Sequence, residues 1–278
     1  MPIKDILVLC DAGEANDYRV ETVLLFAKVY QAHVTGVHLV PYPVPVEGGV
    51  FPEVIHYTAS DQLAKADDIA KILEEKFKAK ASELEIPCEW KTIDGVDIRY
   101  IIENARYTDI VMVPQGYSRY GEETTQKFDD YLSIHMGRPL IVIPDLKKIF
   151  NPPKCIIIAW NESHEAARAV HDALPFLQNA EHIQVVGVSI STDQEKSYMI
   201  YCADLRKHLS HHGIDVEVVS LDQSIKGTGG AILESALKYH ADLIVMGAYG
   251  HSRLKEFLLG GATNHLIKHT TIPLFLSH

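Results

Sequence analysis

The 278-residue chain has no run of 18 or more apolar residues, and Met1-Pro2-Ile3-Lys4 leads directly into an apolar, strand-like segment. Neither a membrane-spanning helix nor a secretory leader is expected from that pattern. Cysteine is scarce and scattered, at Cys10, Cys88, Cys155 and Cys202. Cys10 and Cys155 fall inside segments that read as buried strands, where a thiol acts as a small apolar group. Isolated structural thiols suit a reducing compartment, so the expected location is cytoplasmic. Basic residues are also short, 26 against 37 acidic ones for a net charge of −11, and no basic cluster stands out. Nucleic acid bound through its phosphates normally needs such a cluster, so it is not an expected partner, and neither is a membrane. No Ser/His/Asp order or carboxylate pair marks a hydrolytic centre. His208, His211 and His212 recur at helical spacing, and His265 and His269 likewise. No Cys or acid at ligand spacing completes either set, so solvated helix ends are expected. Lys226-Gly227-Thr228-Gly229-Gly230 lacks the G-x-x-x-x-G-K-S/T order of a phosphate loop and reads as a loop and helix start.

What the chain does have is a copy of itself. Asp5-Ile6-Leu7-Val8-Leu9-Cys10-Asp11 is matched by Lys154-Cys155-Ile156-Ile157-Ile158-Ala159-Trp160-Asn161. Amphipathic stretches follow each, from Tyr18 to Tyr30 and from Glu165 to Leu177. Val34–Leu39 then parallels Val185–Ile190, Tyr107–Val113 parallels His240–Met246, and Arg138–Ile143 parallels Ile272–Ser277. Five matched segments in one order indicate a tandem duplication. The expected units are 1–146 and 152–278, joined through Asp145-Leu146-Lys147-Lys148-Ile149-Phe150-Asn151-Pro152-Pro153, where charges and a double proline end one strand before the next. At 47% hydrophobic residues the chain has material for two ordinary cores.

Within the second copy, strands are expected near 154–160, 182–189, 214–220, 241–246 and 271–276, with helices near 163–178, 194–211, 228–239 and 261–269. Such alternation predicts α/β architecture, with two tandem doubly wound parallel sheets (Rossmann-like) of five strands each. Ligands of such sheets sit beyond the carboxyl ends of the strands, where Asn161, Ile190 and Gly247 would converge. The apolar last strands, Ile141-Val142-Ile143 and Leu274-Phe275-Leu276, would be hazards if left as open edges. We therefore expect them to pair about an approximate twofold, giving an intramolecular pseudo-dimer. Further homodimerisation is left open.

The glycines carry the functional signal. Leu243-Ile244-Val245-Met246 is short, branched and apolar, and it runs into Gly247-Ala248-Tyr249-Gly250, nine residues, then Gly260-Gly261. Bare glycines let backbone N–H groups approach an anion closely, and Ala262-Thr263-Asn264-His265-Leu266-Ile267-Lys268 reads as a helix whose free N-terminal amides favour phosphate. This G-x-x-G, nine-residue, glycine spacing resembles the nucleotide-binding motif of the universal stress protein family, and the resemblance extends over both halves; a tandem arrangement is a known form of that family. The resemblance implies ATP or another adenine nucleotide as ligand, with Mg left open. It implies that Ala159, Asn161 and Ile190 border the adenosine, and that Met246, Gly247, Tyr249 and Gly250 lead toward the phosphates. Gly260, Gly261 and Ala262 would cradle those phosphates. Gly261 stands where the family usually has Ser or Thr, with Thr263 a nearby hydroxyl, and Tyr249 stands where many relatives have His. His251 and Arg253 are phosphate partners on charge alone. Asn161 replaces the family's acidic residue but keeps an acceptor.

The first copy is differently equipped. It keeps an acid at Asp11, but Pro114-Gln115 stands at the first glycine, and Gln126-Lys127-Phe128 stands opposite Gly260-Gly261-Ala262. Nucleotide binding is therefore expected in the second copy and not in the first. The function expected is that of a nucleotide-binding stress-response or regulatory protein. Two alternatives remain at this stage: a slow ATPase or adenylate-handling enzyme, and an interaction protein that binds no nucleotide. The chain supplies no general base or metal carboxylate beside the glycines, which favours binding over turnover.

Overall fold

The computed structural model of the chain describes residues 2–40, 52–94, 98–116, 132–189, 202–222, 225–248 and 261–278. The first half runs β1 (Asp5–Cys10), α1 (Asn16–Tyr30), β2 (His33–Val40), α2 (Pro52–Glu83), β3 (Cys88–Asp94), α3 (Ile98–Ala105), β4 (Ile110–Pro114), α4 (132–135) and β5 (Leu140–Ile143). The second runs β6 (Cys155–Ala159), α5 (His164–Leu177), β7 (His182–Ser189), α6 (202–210), β8 (Glu217–Asp222), α7 (Gly227–Lys238), β9 (Leu243–Gly247), α8 (Gly261–His269) and β10 (Leu274–Ser277). The expected alternation is present in both halves. The third strand of the second half starts at Glu217 rather than at 214. Ile214 and Val216 are buried in the core before the strand begins, so their apolar character does not signal sheet pairing.

All ten strands form one sheet in the order β3-β2-β1-β4-β5-β10-β9-β6-β7-β8. Every neighbouring pair is parallel except β5 and β10. These last strands run antiparallel, with Leu140 opposite Leu276, Ile141 opposite Phe275 and Val142 opposite Leu274. The expected pairing of the two halves through their last strands is therefore present. All eight residues of β5 and β10 are buried, as expected of largely apolar strands covered on both faces.

Strand alternation divides the core in two. Ile6, Val8, Ile156, Ile158 and Phe275 lie on one face with residues of α1, α2, α5 and α6. Leu7, Leu9, Ile157, Ile244 and Leu276 lie on the other with α3, α7 and α8. Each apolar layer continues across the junction. On the first face Phe176 of α5 sits 5.8 Å from the ring of Phe275, 6.0 Å from Phe26 and 5.3 Å from Tyr30, both of α1. Burial pushes the Tyr30 phenol up to about 12, against a hydrogen bond to Asn179 of the second half that pulls it down. The connecting segment is also tied in, since buried Phe150 donates its N–H to Thr22 Oγ1 on α1 at 3.0 Å.

One device is repeated in both halves and shows the duplication in atomic detail. Asp109 Oδ2 accepts from the backbone of Lys4 and Asp5 at 2.7 and 3.0 Å. Asp242 Oδ2 accepts from Lys154 and Cys155, both at 3.0 Å. Each carboxylate fixes the start of its half's first strand against the turn before the fourth.

None of the four cysteines forms a disulfide. Cys10 is buried, and burial pushes its thiol up to about 12. Cys155 is only half-buried, as the first residue of β6, with Sγ 3.4 Å from the Tyr239 carbonyl. Among the described residues no helix is long and apolar enough to cross a membrane.

Phe176 joins three elements from both halves, so Phe176→Ala should destabilise the whole chain by about 3–5 kcal/mol in urea unfolding. The halves should unfold in one transition. A loss under about 1 kcal/mol, or two resolved transitions in the unaltered protein, would contradict this account of the junction.

Candidate functional site

The candidate site of the second half lies at the carboxyl ends of β6 and β9, flanked by the N-termini of α5 and α8. Ala159 and Met246 are register partners on these adjacent strands, side by side on one face of the sheet. Ala262 of α8 packs on the same face. Ala159 and Met246 are therefore brought together. Asn161 follows two residues beyond Ala159 and is exposed. Thr263 is buried, at 3% exposure, and Gly261 is exposed at the start of α8. Ile190, Tyr249, Gly250, His251, Arg253 and Gly260 lie outside the described residues.

Asn161 makes a local turn. Its Oδ1 accepts from Ser163 N at 3.2 Å, which leaves the side-chain amide donors free to meet a ligand. Ser163 then caps α5, its Oγ accepting from Ala166 N at 3.1 Å. Glu165 follows in the first turn. Burial raises its carboxyl, but its own backbone N–H, Ser163 and the neighbouring His278 and His164 outweigh that, and the net shift is downward. Glu165 Oε2 and Trp160 Nε1 are buried without a hydrogen-bond partner among the described residues.

The glycines have unlike roles. A Cβ at Gly247 would collide with the backbone of Ala166 and Glu165 and stand 2.8 Å from Glu165 Cβ. Gly247 is thus what lets the N-terminus of α5 rest on the end of β9, a packing role in addition to any approach of a ligand. A Cβ at Gly261 would meet no atom of the described residues within 4 Å. The segment 226–230 is a helix start, as expected: α7 begins at Gly227, whose φ is +75°. Gly229 lies so close to α8 that a Cβ would stand 2.8 Å from Ala262 O and from His265 Cβ. His265 and His269 stack at 4.5 Å, and burial, His269 and Lys226 together lower the His265 pKa. His208 and His212 meet edge-on at 5.0 Å. Among the described residues no three His, Cys, Asp or Glu side chains gather as a metal set.

At the corresponding place in the first half, Asp11 makes the same local turn, accepting from Gly13 N at 2.7 Å. Its other oxygen is bound by Arg19 Nη2 at 2.6 Å, and Arg19 is almost wholly buried. Asn16 Oδ1 accepts from Arg19 Nη2 at 3.2 Å and from Asp11 N at 3.1 Å. Asp145, just past β5, stands 3.8 Å from Arg19 Nη1, too long for a hydrogen bond but close enough for Coulombic attraction. Arg19 Nε and Nη1 have no hydrogen-bond partner among the described residues. The acid of the first half is thus held by an internal cation. Pairing register places Pro114 at the position of Gly247 and Gln115 at that of Ala248. Residues 117–131, which include Gln126, Lys127 and Phe128, lie outside the described residues.

Sequence reasoning missed Arg19, Ser163 and Glu165. The signal for Ser163 was a serine directly before an amphipathic run. The signal for Arg19 was a pair of polar residues, Asn16 and Arg19, one helical turn apart on the apolar side of α1, where both are buried.

The glycine geometry makes a paired prediction. Gly247→Ala should destabilise the protein by about 1–3 kcal/mol, because α5 must shift. Gly261→Ala should leave stability within about 0.5 kcal/mol of the parent. Equal effects of the two in thermal or urea unfolding would show that the strand-end contact is misassigned.

Residues 154–278 match the family model described as "Universal stress protein family". A universal stress protein from Archaeoglobus fulgidus DSM 4304 superposes over 98% of this chain and 95% of its own, with a TM-score of 0.69 at 18% identity. A functionally unknown protein from Pseudomonas aeruginosa PAO1 covers 99% of this chain and 92% of its own, with a TM-score of 0.60 at 13% identity. A universal stress protein solved in complex with cAMP covers 40% of this chain and 75% of its own at 13% identity, and its TM-score of 0.29 is too low to compare sites. No curated protein sequence matches the chain.

Proposed function

Through residues 154–278 this chain belongs to the universal stress protein family, and from that premise we propose that its second half binds an adenine nucleotide and acts as a nucleotide-responsive regulatory protein of the stress response. In this reading residues 1–146 and 152–278 are the two domains, ATP or a related nucleotide is the ligand, and the protein works by binding rather than turnover. The observation that carries it is the start of α8. It comes after β9 in the chain and begins at an exposed glycine whose Cβ side meets no atom of the described residues within 4 Å. The unpaired N–H groups of a helix's first turn, with the positive end of its dipole, favour a phosphate there.

Several neighbours fit that reading. Ala159 and Met246 sit side by side on one face, an apolar surface suited to the flat, weakly polar adenine, and Ala262 belongs with the phosphate cradle. The donors of Asn161 point to a ribose or base acceptor as their partner. Ile190, Gly247, Tyr249, Gly250, His251, Gly260 and Thr263 complete the proposed binding set, with the glycines beside the phosphates and Thr263 adding a hydroxyl near the helix start.

The first half does not bind nucleotide in this reading. Its Asp11 is neutralised by Arg19, and Pro114 stands where Gly247 stands in the other half. Bringing a ribose to Asp11 would require separating a 2.6 Å ion pair whose cation is buried, which is strongly unfavourable because it strands the charge.

Calorimetric titration of ATP tests this directly. Gly261→Ser has room for its side chain and restores the hydroxyl usual in the family, so it should strengthen binding by about 0.5–1.5 kcal/mol. Gly260→Phe should abolish binding by placing a ring at the helix start, whereas Gln126→Gly should leave it unchanged. Unaltered affinity in Gly260→Phe removes the proposed site. Loss of binding in Gln126→Gly with Gly260→Phe unaffected would move the site to the first half.

A further inference from the structure

The C-terminus of α8, opposite its phosphate-facing end, is held by the first half. Gln115, directly after β4, donates from Nε2 to the carbonyls of Ile267 at 2.7 Å and Thr270 at 3.1 Å. Its Oε1 accepts from Asp145 N at 3.3 Å, and its own N–H donates to Ile143 O at 2.7 Å. With carbonyls on one side and an N–H on the other, only one orientation of the amide satisfies the contacts. A helix end leaves its last carbonyls without intrahelical partners. Thr270 is 2% exposed, so water does not readily replace the amide. Two of those carbonyls are met by a side chain some 150 residues away in sequence.

The grip runs one way. The position equivalent to Gln115 in the second half is Ala248, which has no side-chain amide to offer; its carbonyl instead lies 2.8 Å from His278 Nδ1. Gln115 also ends a polar chain that begins in the first half's own site. Asp11 is bound by Arg19, Arg19 attracts Asp145, and the backbone of Asp145 is bound by Gln115. The half whose site is closed by an ion pair therefore reaches into the helix that carries the other half's glycine.

We infer that Gln115 is a positioning residue for the second half's nucleotide site, fixing α8 from its C-terminal end so that its first-turn amides are set before a phosphate arrives. The inference rests on the nucleotide reading given above for its ligand, but the placement of α8 is a separate property that can be measured without ligand. A helix of nine residues moves largely as a unit, so freeing one end shifts the other. Pre-organised donors bind more tightly because less ordering remains to be done on binding.

The test uses the full chain and three proteins: the parent, Gln115→Glu and Thr22→Val. Gln115→Glu keeps the shape but turns a carboxylate toward two carbonyls at the negative end of a helix dipole. Thr22→Val removes the acceptor for Phe150 N, loosening the junction without touching α8. Backbone amide resonances of Gly261, Ala262 and Thr263 report α8 placement without ligand, and calorimetry reports ATP affinity. Gln115→Glu should shift these resonances and weaken ATP by a factor of about 3 to 30, while Thr22→Val should do neither at matched loss of thermal stability. Protonating the introduced carboxyl restores a donor, so the ratio to the parent should recover as pH falls toward about 5. Unmoved resonances in Gln115→Glu, or the same shifts and affinity loss in Thr22→Val, would overturn the inference. Shifted resonances in a protein whose parent form does not bind ATP would support the placement role and sink the nucleotide reading instead.

Discussion

The antiparallel pairing of β5 with β10 is the constraint on which the rest of the molecule depends. Each half alone would end in a wholly apolar edge strand, with unpaired backbone groups beside Leu and Ile side chains. Joined, the two edges become the centre of a ten-stranded sheet, and both apolar layers run through without a break. The pairing also determines what else can touch. It brings α1 and α5 together over Phe275, and it puts the end of β4 beside the end of α8. The Phe26–Tyr30–Phe176 cluster and the Gln115 contact are consequences of one strand register.

The two copies share a turn and differ in what the turn serves. Asp11 and Asn161 each accept from the N–H two residues on. That job needs only an oxygen, which is why an acid in one copy and an amide in the other fold alike. Beyond the turn they diverge. Arg19 in α1 corresponds to buried Ala169 in α5, so one copy fills its strand ends with a cation and the other with a methyl group. Pro114 and Gln115 in one copy, Gly247 and Ala248 in the other, continue the same contrast. In the first copy these positions hold structure together. In the second, Gly247 makes room for the N-terminus of α5, and Ala248 is buried.

Much of the fold was legible because the repeat and the apolar periods agreed. Asp109 and Asp242 sat at matching points of the two copies and do the same work. The seam was legible from Ile141-Val142-Ile143 and Leu274-Phe275-Leu276, since such strands must be covered. The start of β8 was not, because Ile214 and Val216 are apolar for core contact and not for pairing. The glycine spacing pointed to the strand end and the helix start, but spacing does not distinguish a glycine needed by a ligand from one needed by a helix. Gly247 is tightly enclosed by α5, whereas a Cβ at Gly261 would meet no atom of the described residues. Gln115 left no trace in the pattern, because its partners Ile267 and Thr270 are distant in sequence and long-range polar contacts are not periodic; the partners of Arg19, Asp11 and Asn16, are close in sequence.

The seam also sets a schedule for synthesis. β5 ends at Ile143 and its partner does not begin until Leu274. At about 5–20 residues per second the first half waits roughly ten seconds on the ribosome with a bare apolar edge. During that interval the nearest matching edge is on another nascent chain of the same message. Duplication removes the need for two finished subunits to find each other, and in exchange it lengthens the time for which one unfinished subunit is adhesive. Whatever shields Leu140–Ile143 during translation, whether a chaperone or the pace of the codons that follow, belongs to the biology of this protein as much as its finished fold.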